Sequence, residues 1–380
     1  MIPRITGARL KNRSLKIGGT HGLDGWRKEE ISAMPNTWWE AIADLFQAFE
    51  NGAIWPEGLA QASIPLIAKE SGSHKPLDQR PIAVLSTIYR TWAGLRFKDL
   101  ERWRETWTPK ELYGGEPERE ALQAYIEMGM ELENAHLSNS PLIAIFLDYA
   151  KYFDSIPWTV VWGLAEWWGI PPEIIRAEKS FYSALSSRFK INGHYGKPWW
   201  RTNSFAQGCP LSILWANLLG AAWTIILTAR IPGAGKSIFI DDKALRTKNR
   251  VIFLEALKLN SLFDRLTGQK LNITKVMAMA TTQEDRNWLR KIMIDNNHIQ
   301  VDSKAIYLGA QLDAARKIAQ SKAYVRIDKA ENTLDDICRI CASKQTKISL
   351  VEGKLIPQIT YAAALKTPPP KPPTGLLGKS

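Results

Sequence analysis

The sequence predicts an α+β protein in which antiparallel hairpins and buried strands pack on helices. Three observations carry this. Residues 142–147 form an unbroken apolar run that ends on Asp148, as expected of a central strand buried on both faces. Residues 237–240 are a second apolar, β-branched run; it meets Asp241 and Asp242 and resumes to Arg246, the pattern of a hairpin with its acids near the tip. Between such strands lie segments with apolar residues at helical spacing, the clearest being Trp38, Trp39, Ile42, Leu45, Phe46 and Phe49.

The chain has 380 residues, 45% of them apolar, which suits a large core divided into two or three subdomains. No apolar run reads as a membrane span, nothing at the N-terminus resembles a signal peptide, and an intracellular location without a membrane partner is expected. Lys and Arg outnumber Asp and Glu by 50 to 38, a net charge of +12. Such an excess favours polyanionic partners, nucleic acid first and acidic membrane second; a basic surface serving only solubility is the plainer alternative. Cys209, Cys338 and Cys341 are too few for a disulfide framework or a zinc site and are expected to be reduced, packing thiols.

In chain order, a basic opening leads to a glycine-rich turn around Gly22-Leu23-Asp24-Gly25. The aromatic helix follows, with Asn36 or Thr37 as its cap and Gly52 as its stop. Residues 62–69 read as a short strand ending at Lys69, and residues 80–85 as another beginning at Arg80. The two cations flank a polar loop and suit a polyphosphate, although isolated surface charges would look the same. Helical patterns run over 85–103 and 118–137. After the 142–147 strand, where Asp148 alone would pass for a helix cap, a Trp-rich helix extends to Trp168 and another from Pro171 to Ser187. Arg188 to Ile191 turn at Asn192-Gly193 toward a mate at 199–202. The loop Gln207-Gly208-Cys209-Pro210 enters an apolar helix; Gly208 permits close approach of a ligand, and Gln207 offers a donor and an acceptor. Beyond the acid hairpin come a helix over 251–266, a turn and strand carrying Lys275, one short strand over 306–312, and a basic helical region with Arg316, Lys317, Lys322, Arg326 and Lys329. The Pro-rich end is expected to be disordered.

If the strand ending at Asp148 and the Asp241-Asp242 hairpin are neighbours in one sheet, their carboxylates converge. Such an all-oxygen cluster suits Mg²⁺, and a metal pair suits in-line phosphoryl transfer. The order of motifs then becomes specific. The chain resembles reverse transcriptases, most closely those of non-LTR (LINE-type) retrotransposons and more distantly those of group II introns. The resemblance rests on Gly22-Leu23-Asp24-Gly25; Ile64-Pro65-Leu66-Ile67-Ala68-Lys69 with Arg80-Pro81-Ile82; and Phe146-Leu147-Asp148-Tyr149 through Phe153-Asp154. It continues through Gln207-Gly208-Cys209-Pro210-Leu211-Ser212, Phe239-Ile240-Asp241-Asp242, the segment from Gly268 to Lys275, and Tyr307-Leu308-Gly309.

The resemblance implies a right-hand polymerase: N-terminal extension and fingers over 1–140, palm with an antiparallel sheet over 141–312, helical thumb over 313–366, and the tail over 367–380. It implies RNA-directed DNA polymerisation from a primer 3′-hydroxyl with two Mg²⁺ ions, for which Mn²⁺ can substitute. Asp148, Asp241 and Asp242 would be catalytic metal ligands, and Lys275 would assist the departing pyrophosphate. Lys69, Arg80, Phe153, Gln207 and Gly208 would bind the nucleotide, Phe153 as a steric gate against a ribose 2′-hydroxyl. Implied partners are an RNA template, a DNA primer, their RNA–DNA hybrid and dNTPs. Two departures stand out: Ile213 follows Ser212 where the family has Pro, and Lys243 follows the acid pair. The rivals are an RNA-dependent RNA polymerase and a decayed RNA-binding or maturase-like remnant. No endonuclease or RNase H pattern is visible, which leaves open a fragment or a part of a larger polyprotein.

Overall fold

A computed structural model describes residues 2–69, 75, 78–315 and 321–361, with the side chains of 321–328 left out. The chain forms two compact units. One comprises Met1–Gly115, Tyr149–Arg230 and Lys258–Lys270; the other comprises Glu116–Asp148, Ile231–Leu257 and Leu271–Ser380. In chain order the strands are β1 (Gln61–Ala68), β2 (Gln79–Pro81), β3 (Val84–Leu85), β4 (Ile143–Leu147), β5 (Ser186–Ile191), β6 (His194–Tyr195) and β7 (Trp199–Trp200). They continue as β8 (Gly235–Phe239), β9 (Asp242–Thr247), β10 (Met277–Ala280), β11 (Met293–Ile294), β12 (Asn297–His298), β13 (Gln300–Val301), β14 (Lys304–Tyr307) and β15 (Ala310–Asp313).

The first unit holds a sheet of order β2-β1-β5-β6, with β3 also on β1 and β7 on β5. The β1–β5 pair is parallel and the others are antiparallel. The return strand after Asn192-Gly193 is β6, both turn residues having positive φ as a two-residue hairpin requires. Trp199–Trp200 instead pairs with the base of β5. Beside the sheet, Phe46 and Phe49 of helix Asn36–Glu50 pack with Trp55, Tyr89, Trp92 and Phe181 in an aromatic core. Pro35, not Asn36 or Thr37, is the cap position of that helix: Asn36 is already helical and its Oδ1 accepts from Lys11 Nζ at 3.0 Å. Helix Pro172–Ala184 ends short of Ser187 because Ser186 and Ser187 belong to β5. Helix Ser212–Arg230 is long and apolar enough to cross a membrane, but 72% of its apolar window is buried in the protein, as in a core helix.

The second unit holds a sheet of order β13-β10-β4-β9-β8. All five residues of the central β4 are buried, and β9 and β10 flank it antiparallel. Helix Ala121–Leu137 lies against β8, and Arg246 of β9, only 3% exposed, reaches Glu127 and Glu131 of that helix at 3.1 and 2.7 Å. The single strand expected over 306–312 is a hairpin, β14–β15. Leu308 and Gly309 both take positive φ and reverse the chain where the apolar pattern alone shows no break. Helices Ser321–Arg339, Lys344–Leu350 and Ile356–Thr360 enclose a small core of Ala330, Ile337 and Leu355. Cys209 is buried, but Cys338 and Cys341 are exposed and do not pack: Ile337, beside Cys338, takes the core-facing position. The Pro-rich tail, Arg316 and Lys317 lie outside the described residues.

Candidate active site

The local chemistry of β4 sends a carboxylate out of an apolar strand. Ile143 to Leu147 satisfy the core, and Asp148 follows where the ladder ends, its backbone oxygen accepting from Asn272 N at 2.8 Å. On the neighbouring strand, Ile240 at φ 58 turns the hairpin, Asp241 stands in the turn, and Asp242 opens β9 paired with Phe239. Leu147 lies opposite Lys243, so the ends of β4 and β9 bring Asp148 and Asp242 to one edge of the sheet. Lys275 Nζ approaches Asp148 Oδ2 at 3.4 Å.

These groups feel one another. Burial, then the negative charges of Asp241 and Asp148, push the Asp242 carboxyl up from 3.8 to about 7, and Lys275 opposes the shift. Asp148, Asp242, Lys243, Lys275, Tyr307 and Leu308 contribute to the wall of a cavity of about 350 Å³. Among the described residues, no group of three or more His, Cys, Asp or Glu is drawn together closely enough to hold a metal. The donor chemistry nevertheless fits a hard divalent cation: three carboxylates, oxygen only, with mutual repulsion that a cation would relieve.

The remaining sequence-predicted residues lie in the first unit and are tied together by backbone bonds. Lys69 directly follows β1 and its N–H donates to Asp78 O at 2.8 Å; Arg80, exposed on β2, lies opposite Ile67. Ala83 N donates to Gln207 O at 2.6 Å, and Phe205 N to Phe153 O at 3.2 Å. Gly208 has φ +128, and a Cβ there would lie 2.2 Å from Ala83 O. Phe153, Gln207, Gly208 and the link between β2 and β3 thus share one backbone frame. Sequence reasoning missed Tyr307 as a cavity wall residue and left Lys243 without a role. Tyr307 Oη lies 2.8 Å from Ser237 Oγ, while Lys243 is 1% exposed yet lines the cavity with Asp242. Its place directly after the acid pair was the available signal.

A family model described as reverse transcriptase (RNA-dependent DNA polymerase) matches residues 67–312. The chain belongs to the reverse transcriptase family. Members are RNA-directed DNA polymerases, hence nucleotidyltransferases, and their domains generally use divalent metal ions. An apo telomerase from Candida tropicalis, truncated from its C-terminal domain, is a structural match at TM-score 0.50 and 13% identity. The match covers 74% of this chain and 59% of the telomerase chain, so this reverse transcriptase spans under two thirds of that protein's length. At such identity the likeness shows the fold, the α+β right-hand polymerase fold. In this reverse transcriptase the family-matched stretch contains every candidate site residue named above, from Lys69 to Lys275.

Proposed function

We propose that this chain is the polymerase of a non-LTR retroelement and extends a DNA primer on an RNA template by two-metal phosphoryl transfer. The observation that supports it most is the gathering of Asp148, Asp241 and Asp242 at the joined ends of β4 and the β8–β9 hairpin. Asp148 and Asp241 would hold two Mg²⁺ ions, with Asp242 supporting. When bound, the ions supply charge for the attacking and leaving oxygens. Lys275, already beside Asp148, neutralises charge developing on pyrophosphate. Lys69 and Arg80 hold the triphosphate, and Phe153 excludes a 2′-hydroxyl by van der Waals overlap. Gln207 and Gly208 line the nucleotide side, the glycine because Ala83 leaves no room for a Cβ. The helices beyond residue 320 act as the thumb on the hybrid, gripping phosphates rather than reading sequence.

The test is primer extension with Mg²⁺ and dNTPs on an RNA template. Templated DNA product that disappears in Asp241→Asn supports the reading. Equal use of rNTPs by the wild type would transfer it to RNA synthesis, and absence of product with intact RNA binding would identify a decayed remnant.

A further inference from the structure

The Gln207-Gly208 turn is open at its tip and fastened at both flanks inside the first unit. Gln207 is half-buried and Gly208 exposed, whereas Ala206 and Cys209 on either side are buried. Each flank meets a different tyrosine. Ala206 N donates to Tyr182 Oη at 3.2 Å, and the Ala206 carbonyl accepts from Ser212 Oγ at 2.8 Å. Cys209 Sγ lies 3.0 Å from Tyr89 Oη, and the Tyr89 ring stacks on Phe181 at 3.6 Å between centres. Glu178, fully buried on the helix that also carries Tyr182, completes the network. Its Oε1 accepts from Tyr89 Oη at 2.8 Å and its Oε2 from Trp215 Nε1 at 3.1 Å.

A carboxyl in such an interior is costly, and Gln would make the same two bonds. What the carboxyl adds is a hydrogen bond that can reverse. Ionised, Glu178 accepts the Tyr89 proton, and the Cys209 thiol is left to donate to the Tyr89 oxygen. Protonated, Glu178 donates to Tyr89, which then turns its own hydroxyl toward Cys209 Sγ. Burial pushes the Glu178 carboxyl up to about 7. It also holds the Tyr89 and Tyr182 hydroxyls well above their ordinary value and pushes the Cys209 thiol up to about 12. Across neutral pH, Glu178 is therefore the member of this network that changes charge. Arg201 feels the Tyr182 hydroxyl, but among the described residues no cation acts on Glu178.

We propose that Glu178 is a positioning residue for the incoming nucleotide: through Tyr89 and Cys209 it holds the Gln207-Gly208 turn in its binding shape when protonated and loosens it when ionised. The sign follows from solvation. A buried carboxylate without a cation is stabilised by any opening that admits water, and the Cys209 flank runs directly into exposed chain at Gly208. The link to the nucleotide rests on the polymerase reading of Gln207 and Gly208; the link to the turn does not.

Single-nucleotide extension at saturating Mg²⁺ gives the KM for dNTP at pH 6 and pH 8 in the wild type, Glu178→Gln and Tyr89→Phe. The wild-type KM divided by that of Glu178→Gln should rise about three- to tenfold between the two pH values, with the kcat ratio steady within about twofold. Dividing by the variant cancels titration of the active-site carboxylates and of the substrate. Tyr89→Phe keeps the ring on Phe181 and severs the relay, so its KM should follow Glu178→Gln. Hydrogen exchange supplies a second readout that needs no catalysis. Corrected for intrinsic rate, the Ala206 and Cys209 amides should open at least about threefold more readily at pH 8 than at pH 6 in the wild type, and not in Glu178→Gln. Parallel KM profiles for wild type and Glu178→Gln overturn the proposal, and so do parallel exchange profiles. A Tyr89→Phe enzyme that keeps the full pH response overturns it too, as does a response confined to kcat. A wild type that extends no primer while the exchange difference persists sinks the polymerase reading and leaves the control of the turn by Glu178 standing.

Discussion

Glu178 offers a sharp test of the interior of the first unit. Its carboxyl is fully buried on helix Pro172–Ala184, where Oε1 accepts from Tyr89 Oη at 2.8 Å and Oε2 from Trp215 Nε1 at 3.1 Å. Burial pushes it up from 4.5 to about 7, against the pull of those two donors. Among the described residues no cation compensates, and the adjoining Cys209 thiol is itself pushed up to about 12 by burial. An acid raised on folding stabilises the protein fully below about pH 4.5, and the contribution is lost as pH rises through about 7, because the unfolded chain ionises first. At 1.4 kcal/mol for each tenfold step, the span from 4.5 to about 7 corresponds to about 3 kcal/mol. Glu178→Gln imitates the protonated form: its oxygen accepts from Trp215, its amide donates to Tyr89, and Tyr89 turns its hydroxyl toward Cys209 Sγ, 3.0 Å away. Urea unfolding of both proteins at pH 5 and pH 8 reads the difference directly, since other titrating groups cancel. The variant should be more stable by about 1 kcal/mol at pH 5 and by about 3 kcal/mol at pH 8. Parallel pH profiles would show that Glu178 is not the buried acid described here.

Other predictions address the candidate active site. Asp148→Asn should abolish primer extension while leaving hybrid affinity within about threefold, measured by anisotropy; near-normal extension contradicts the ligand role. Phe153→Val should raise the kcat/KM ratio of rNTP to dNTP in single-nucleotide extension, and an unchanged ratio makes Phe153 a packing residue only. Gly208→Ala, forced against Ala83 O at positive φ, should destabilise by about 2–4 kcal/mol, whereas Gly18→Ala, with open space around it, should leave the melting temperature unmoved.

What the sequence made legible is local. The β8–β9 hairpin and the apolar β4 follow from period and composition, and Asn192-Gly193 turns the chain as its dihedral preferences require. Convergence of the acids needed one further step, the pairing of β4 with β9, which no local pattern specifies and which the motif order supplied. The parallel pairing of β1 with β5 was hidden for the same reason: it joins distant segments, and each alone suits many partners. Buried charge was hidden for a different one. Arg96 and Glu50, 1% and 0% exposed, make a paired contact at 2.6 and 2.7 Å with Trp92 donating to the same carboxylate. In sequence they look like ordinary surface residues, because the Glu50 carboxylate that meets the Arg96 guanidinium comes from another helix, beside the local partner Asp99. Lys243 belongs to the same class: as a departure from the family pattern it suggested decay, yet its burial places it in the wall shared with Asp148 and Asp242. Held at 1% exposure in the wall with Asp148 and Asp242, Lys243 is packed into the sheet, and its burial needs a charge partner that the sequence around it does not name.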